Sequence, residues 1–135
     1  MEKSTIEKIN DFFANNMIAK GTPSNLDEIA HAEKELGIKF DKDYVYFLLN
    51  FGGSLIKNKE IYGLHNSELR GEDSIISLTK RFREEGNEHL DWLIIGTDYA
   101  GNPIGISKEG KVLLQDYDNG ELNVLAESFE DYILK

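Results

Sequence analysis

The sequence predicts a single α+β domain, in which helices at both ends pack on a largely antiparallel or mixed sheet of about five to six strands. The chain has 135 residues, 40% hydrophobic and 30% charged, which suits one domain with its own core. Apolar residues recur at helical spacing in the first 53 residues and in the last eight. Between them, residues 94–120 alternate short apolar runs with Gly- and Asn-containing turns, which is typical of antiparallel strands. We therefore expect one domain over residues 1–135.

Three amphipathic helices are predicted in the N-terminal part. The first begins with a capping box at Ser4 and ends near Asn16. The second begins at Ser24 and ends at Gly37, a residue type that commonly terminates helices. The third has Asp41 as its N-cap and ends at the following Gly-Gly pair.

The hydrophobic period then changes from that of helices to that of strands. Residues 65–77 are polar and receive no assignment, and Ser128 is expected to begin the last helix. The pair Asn119-Gly120 is the strongest hairpin signal in the chain. The remaining predicted elements are strands over 60–64, 92–97, 104–107, 112–118 and 122–126 and a helix over 78–85.

The net charge of −10 is concentrated in the C-terminal part. Residues 1–83 carry 13 acidic and 12 basic residues, whereas residues 84–135 carry 12 acidic and 3 basic residues. An acidic surface disfavours nucleic acid and attracts basic protein surfaces. We therefore expect a basic protein partner and no nucleic acid. The alternative is that the charge only keeps the protein in solution.

Nothing in the sequence indicates export or a membrane span. The N-terminus is charged, and no run approaches about 18 apolar residues. The chain has no Cys, which fits a reducing compartment. We expect a cytoplasmic protein without membrane contact.

Two stretches resemble ligand-binding motifs and are better explained as turns. Residues 105–111 match the spacing of a phosphate-binding P-loop, but they lie between two predicted strands, and Val112 replaces the metal-binding hydroxyl. Residues 116–121 resemble the start of a calcium loop, but Gly120 stands where a ligand is required. We predict hairpin turns at both places, and neither a metal nor a cofactor.

Catalytic residues are not predicted either. His31, His65 and His89 are far apart, and each is expected on a surface or a helix face. The chain has no Cys and no nucleophile-elbow motif. We expect no enzymatic activity.

The candidate partner contacts lie in or beside the predicted strands. Carboxylates and amides can make polar contacts, and a Tyr with one solvated edge often anchors a partner, although packing in the core is the alternative for each Tyr. The polar candidates are Glu60, Asp98, Asn102, Asp116, Asp118 and Glu121, and the aromatic candidates are Tyr62, Tyr99 and Tyr117.

Taken in order, these elements resemble the SUKH superfamily, which includes bacterial immunity proteins and the fungal Smi/Knr cell-wall regulators. Family members usually have Leu-Pro where Phe40-Asp41 stands here, and Asp41 can cap the same helix. The resemblance covers nearly the whole chain. It is carried by residues 33–37, Phe40 to Tyr44, Phe47-Leu48, Ile61 to Leu64, Ile94 to Gly96, Asp98, Gly101 to Ile104, Gly110 to Val112, Asp116 and Ser128 to Tyr132.

The resemblance implies a protein-binding function and no catalytic residue. Bacterial members typically neutralise a cognate polymorphic toxin, often a nuclease, by covering its active site, so our first hypothesis is an immunity protein with an acidic binding face. The second is a regulatory scaffold that binds a cellular protein or peptide, as the fungal members suggest. The third is a small-molecule-binding domain, which a deep pocket with two converging titratable groups would favour. The sequence does not indicate an oligomeric state.

Overall fold

Helices surround two antiparallel sheets in this protein, and the predicted α+β class is confirmed. The computed structural model describes residues 1–67, 73–85 and 91–135. A short 3-10 helix, Met17–Ala19, follows the first α-helix. The other elements are α1 (Lys3–Asn15), α2 (Leu26–Leu36), α3 (Lys42–Asn50), β1 (Ser54–Ile56), β2 (Lys59–Ile61), α4 (Ile75–Glu84), β3 (Leu93–Thr97), β4 (Pro103–Ile106), β5 (Val112–Gln115), β6 (Leu122–Ala126) and α5 (Phe129–Leu134).

Within the described residues, six strands form two sheets. Strands β1 and β2 make a hairpin in which Ser54 lies opposite Ile61. Strands β3, β4, β5 and β6 pair in sequential order as an antiparallel meander. The backbone N–H of Tyr62 donates to the carbonyl of Ile95 at 2.8 Å, so the hairpin abuts β3. The six strands fall within the predicted range of about five to six, but they are divided between a pair and a group of four.

The four-stranded sheet has helices on both faces because its strands alternate their side chains. Ile94 and Leu113 pack on one face with Trp92 and with Leu78 and Phe82 of α4. The intervening residues pack on the opposite face against α3 and α5. The strand residues of this core include Leu93, Ile95, Ile106 and Val112, and its helix residues include Tyr44, Phe47, Leu48, Phe129 and Ile133.

An aromatic group joins α3 and α5 at the centre of the larger core. The ring of Phe129 packs edge-on against Tyr44 and Phe47, with centroid distances of 5.3 and 5.5 Å. Tyr44 is fully buried, and its hydroxyl donates to the carbonyl of Tyr62. The helical layer is thereby hydrogen-bonded to the segment that leaves β2.

The predicted capping box at Ser4 is wrong, because α1 begins at Lys3 with Glu2 as its N-cap, two residues earlier than predicted, and has no side-chain cap of its own. Glu130 of α5 takes this role from a distance of 128 residues along the chain. Its carboxylate accepts from the N–H of Glu2 at 3.0 Å and from the hydroxyl of Thr5 at 2.8 Å. The end of α1 is therefore held by a tertiary contact, which a local pattern cannot indicate.

Replacing Glu130 with alanine is expected to lower the free energy of unfolding by about 1 kcal/mol more than replacing its neighbour Asp131, in line with the loss of a helix cap. Both residues lie in the first turn of α5, so both contribute there through the helix dipole. Only Glu130 contacts α1. Urea denaturation of the two single variants measures the difference, and equal losses would contradict the capping role.

The second helix, by contrast, begins one residue later than predicted. Asn25, and not Ser24, is the N-cap of α2, and it forms a reciprocal capping box with Glu28. Ser24 is buried, and its N–H donates to the carbonyl of Leu48. The predicted termini at Gly37, Asp41 and Ser128 are confirmed.

Other boundaries differ in small ways. Strand β1 is only three residues long and was not predicted. Helix α4 begins at Ile75 with Ser74 as its cap, three residues before the predicted start. Strand β5 ends at Gln115, because residues 116–120 form the turn instead of extending the strand.

Candidate partner-binding face

The turn between β3 and β4 is organised by Asp98. One carboxylate oxygen accepts from the N–H groups of Ala100 and Asn102 at 2.9 and 2.8 Å, and the other accepts from the Asn102 side chain at 3.0 Å. Partial burial raises the pKa of Asp98, but these hydrogen bonds lower it by more, so the net shift is downward. Asp98 is therefore a fixed negative charge whose oxygens are largely used within the turn.

Asn102 connects this turn to the next one. Its side-chain oxygen accepts from the N–H of Tyr117 at 3.1 Å, in the turn between β5 and β6. The residue is 6% exposed. Asn102 therefore sets the spacing of the two turns and presents little surface of its own to a partner.

The turn between β5 and β6 is closed by Asp116. Its carboxylate accepts from the N–H of Asp118 at 2.9 Å, and its carbonyl accepts from the N–H of Gly120 at 2.9 Å. The predicted hairpin at Asn119-Gly120 is thus confirmed, and Asp116 holds its shape. Asp118 and Glu121 are exposed, and neither carboxylate makes a hydrogen bond or an ion pair in the described part of the chain.

Apolar side chains lie beside these charges. Tyr99 is fully exposed at the first turn, and Tyr117 is 43% exposed with its ring 6.4 Å from that of Phe82. Leu122 and Val124, on the edge strand β6, are 55% and 52% exposed. These two residues were not predicted, because their alternation is that of an ordinary strand and does not reveal that β6 lies at an edge.

The two remaining predicted residues lie at the hairpin. Glu60 is exposed on β2. It lines a hollow of about 480 Å³ together with Asp98 and Tyr99, and Lys59 and Lys135 also line this hollow. Tyr62 is half-buried and packs against both cores, so the core alternative applies to much of its ring.

The nine predicted residues therefore form two neighbouring groups with a link between them. Glu60, Asp98 and Tyr99 surround the hollow, whereas the residues of 116–121 form the second turn. Asn102 joins the groups, and Tyr62 lies mostly beneath them. We call Tyr99, Asp116, Tyr117, Asp118, Glu121, Leu122 and Val124, together with Asp98, the acidic face.

Metal ligands and a phosphate loop are not found at the tested motifs. Over residues 1–67, 73–85 and 91–135, no three His, Asp or Glu side chains form a group that could hold a metal ion. His31 is exposed on α2, and His65 is hydrogen-bonded to Glu28, which lowers the pKa of that carboxyl group. His89 lies outside the described residues. The stretch 105–111 is the β4–β5 hairpin, as predicted, closed by the N–H of Ser107 donating to the carbonyl of Lys111.

A larger pocket, which the sequence analysis also missed, lies at the other end of the sheet. It has a volume of about 770 Å³ and is bordered by residues 36–42, the end of α4, the start of β3 and the β4–β5 turn. The basic residues on its wall are spread over the sequence, so no local motif indicates it.

No described helix is long and apolar enough to cross a membrane.

No curated protein matches the chain. The sequence model of the SMI1 / KNR4 family (SUKH-1) matches residues 23–135, a stretch that contains α2 to α5 and both sheets. The match agrees with the resemblance drawn from the glycines and apolar anchors of the sequence. The chain therefore belongs to the SMI1 / KNR4 family (SUKH-1).

Proposed function

We propose that this protein is a non-catalytic immunity protein that binds a cognate bacterial toxin through the acidic face and covers the active site of that toxin. The observation that carries the proposal is the combination on one surface of free carboxylates with exposed apolar side chains. Asp118 and Glu121 have no partner in the described chain, and Tyr99, Leu122 and Val124 are more than half exposed beside them. Protein interfaces combine apolar anchors with a polar rim in this way.

The charge of the face favours a basic partner. Residues 84–135, which contain the face, hold 12 acidic and 3 basic residues. A toxin that binds nucleic acid has a basic cleft. A nuclease is therefore the toxin class that the negative charge of the acidic face complements best. Complementary charge speeds the encounter of the two proteins and disfavours wrong partners.

The rigidity of the face also favours binding. The side chains of Asp98, Asn102 and Asp116 accept hydrogen bonds from backbone N–H groups of the two turns. The turns are therefore ordered before a partner binds. Ordering a loop during binding costs free energy, and a preformed loop avoids that cost.

The first test uses the product of the gene next to the gene for this protein, where that product is a toxin. We expect co-expression to restore growth and the two proteins to purify together. The Asp118→Lys/Glu121→Lys variant should bind about tenfold more weakly, equivalent to about 1.4 kcal/mol, because two attractive charges become repulsive. Added salt should weaken binding of the original protein more than binding of the variant.

The matched control is Glu7→Lys/Asp11→Lys, which makes the same change of net charge on the exposed side of α1. It should bind as the original protein does. If both double variants protect cells equally well, the acidic face is not the binding site. If the neighbouring product is a toxin and the unchanged protein neither binds it nor protects cells, the immunity function is wrong, and a regulatory scaffold for a cellular protein becomes the better hypothesis.

A further inference from the structure

The larger pocket lies at the end of the sheet opposite the acidic face. In an antiparallel meander, the β3–β4 and β5–β6 turns are at one end and the β4–β5 turn is at the other. The acidic face uses the first two turns, whereas Ser107, Lys108 and Gly110 of the third border the pocket. The pocket and the acidic face are therefore separate surfaces.

The floor of the pocket is apolar and its volume suits a small molecule. The pocket is lined by the partly exposed side chain of Ile38 and by the accessible edges of four hydrophobic side chains that are at most 4% exposed, and its volume is about 770 Å³. Pockets for small molecules measure about 300–1,000 Å³ and combine apolar walls with a few charged or polar groups. The four side chains are those of Leu36, Phe40, Leu93 and Ile106.

The charged residues around this floor are mainly basic, although the protein has a net charge of −10. Among the residues that the structure describes, four cations and two anions line the pocket. These residues are Lys39, Lys42, Arg83 and Lys108, with Asp41 and Asp91.

Part of this basic charge has no partner. The ammonium group of Lys108 lies 3.4 Å from a carboxylate oxygen of Asp91, and Arg83 donates to the carbonyl of Leu36 at 2.9 Å. Lys39 and Lys42 make no hydrogen bond or ion pair through their side chains in the described part of the chain. The pocket therefore presents two cations that make no hydrogen bond or ion pair above its apolar floor, and Lys42 also interacts electrostatically with Asp41.

We propose that this pocket binds a small organic anion with an apolar body and one carboxylate, phosphate or sulfonate group. The body packs on the floor, and Lys39 and Lys42 contact the anionic group. A long polyanion fits poorly, because Asp41 and Asp91 border the same pocket and the protein as a whole is acidic. The proposal is independent of toxin binding and develops the small-molecule alternative that the sequence left open.

The test compares two probes of nearly the same shape. Anilinonaphthalene sulfonate carries one negative charge, and phenylnaphthylamine has the same aromatic body without it. We expect one equivalent of the sulfonate to bind, about tenfold more tightly than the neutral probe, because only the sulfonate can accept charge-assisted hydrogen bonds from the lysine side chains. Amide chemical shifts should move at Gly37, Ser107 and Gly110, which border the pocket.

Substitution of the lysines distinguishes binding through Lys39 and Lys42 from nonspecific hydrophobic binding of the probe. Lys39→Gln/Lys42→Gln should weaken binding of the sulfonate about tenfold and leave the neutral probe unchanged. Lys3→Gln/Lys8→Gln removes the same charge from exposed positions on α1 and should change neither probe. Thermal unfolding of all variants confirms that the probes report on folded protein. Equal affinity for the two probes, equal effects of the two double variants, or shifts confined to residues 116–124 would overturn the proposal.

Discussion

Replacing Gly53 with alanine is expected to lower the free energy of unfolding by about 3 kcal/mol, at the upper end of the usual range for overpacking a tight site. An added Cβ would lie 1.9 Å from the side-chain oxygen of Asn66 and 2.6 Å from the backbone nitrogen of Gly63. The neighbours cannot move easily. The N–H of Gly53 donates to the carbonyl of His65 at 2.9 Å, and its own carbonyl accepts from the N–H of Ser67 at 2.8 Å.

Gly37→Ala provides the matched control, because it tests backbone strain without crowding. Gly37 has a φ of 67°, and nothing lies within 4 Å of the Cβ that alanine would add. We expect a loss of about 1 kcal/mol there, the cost of a left-handed conformation. Urea denaturation of both variants measures the difference. If Gly53→Ala is no more destabilising than Gly37→Ala, the residues around position 53 can move aside for a methyl group, and the expected clash with Gly63 and Asn66 is wrong.

Gly53 also illustrates what a sequence can and cannot predict. The Gly-Gly pair correctly indicated the end of the third helix, since helix ends depend on nearby residues. The reason why the second position tolerates no side chain is its contact with Gly63 and Asn66, which no local pattern indicates. The same distinction explains the caps. Asp41 and Ser128 cap their own helices and were predicted, whereas α1 is capped by Glu130 from the far end of the chain.

The sheet follows the same rule. The strands of the meander are joined by short turns with their own signals, so the sequence predicted them well. Strand β1 is three residues long and has too few positions to show an alternating pattern. The division into two sheets depends on how the hairpin meets β3 at Tyr62 and Ile95, which is a tertiary contact.

For the candidate site, the sequence predicted the acidic turns but not the use of each residue in them. Asp98 and Asp116 lie where expected, yet their carboxylates accept hydrogen bonds from their own turns. The exposure of Leu122 and Val124 on the edge strand β6 depends on how the sheet packs in the fold, which the local pattern does not show. The larger pocket is lined by residues from four separate segments of the chain, so it cannot be predicted from a local sequence pattern.

Stability at high pH is expected to depend strongly on Tyr44. Complete burial raises the pKa of its hydroxyl well above the usual 10, because the charged form would lose its hydration. The folded state therefore keeps a proton that the unfolded state releases above about pH 10. Below pH 10 the ionisation of Tyr44 does not affect the free energy of unfolding. Above pH 10 it lowers the free energy of unfolding by about 1.4 kcal/mol per pH unit.

Tyr44→Phe should change both the level and the slope of this profile. At neutral pH the variant loses about 1–2 kcal/mol, because the carbonyl of Tyr62 loses the hydroxyl that donates to it. Above pH 10 the variant lacks the titrating group and declines less steeply, so the two curves should meet about one pH unit higher. Urea denaturation at a series of pH values gives both curves.

Tyr99→Phe is the control for this experiment, since it removes the same hydroxyl from a fully exposed ring. Its profile should follow that of the original protein at every pH. In a direct titration of the folded protein, the tyrosinate absorbance of Tyr44 should appear only together with unfolding. Parallel profiles for the original protein and Tyr44→Phe would show that Tyr44 ionises as easily in the folded state as in the unfolded one. Its burial beneath Phe129 and Phe40 would then not exclude water, and the aromatic group would be more open than its contacts indicate.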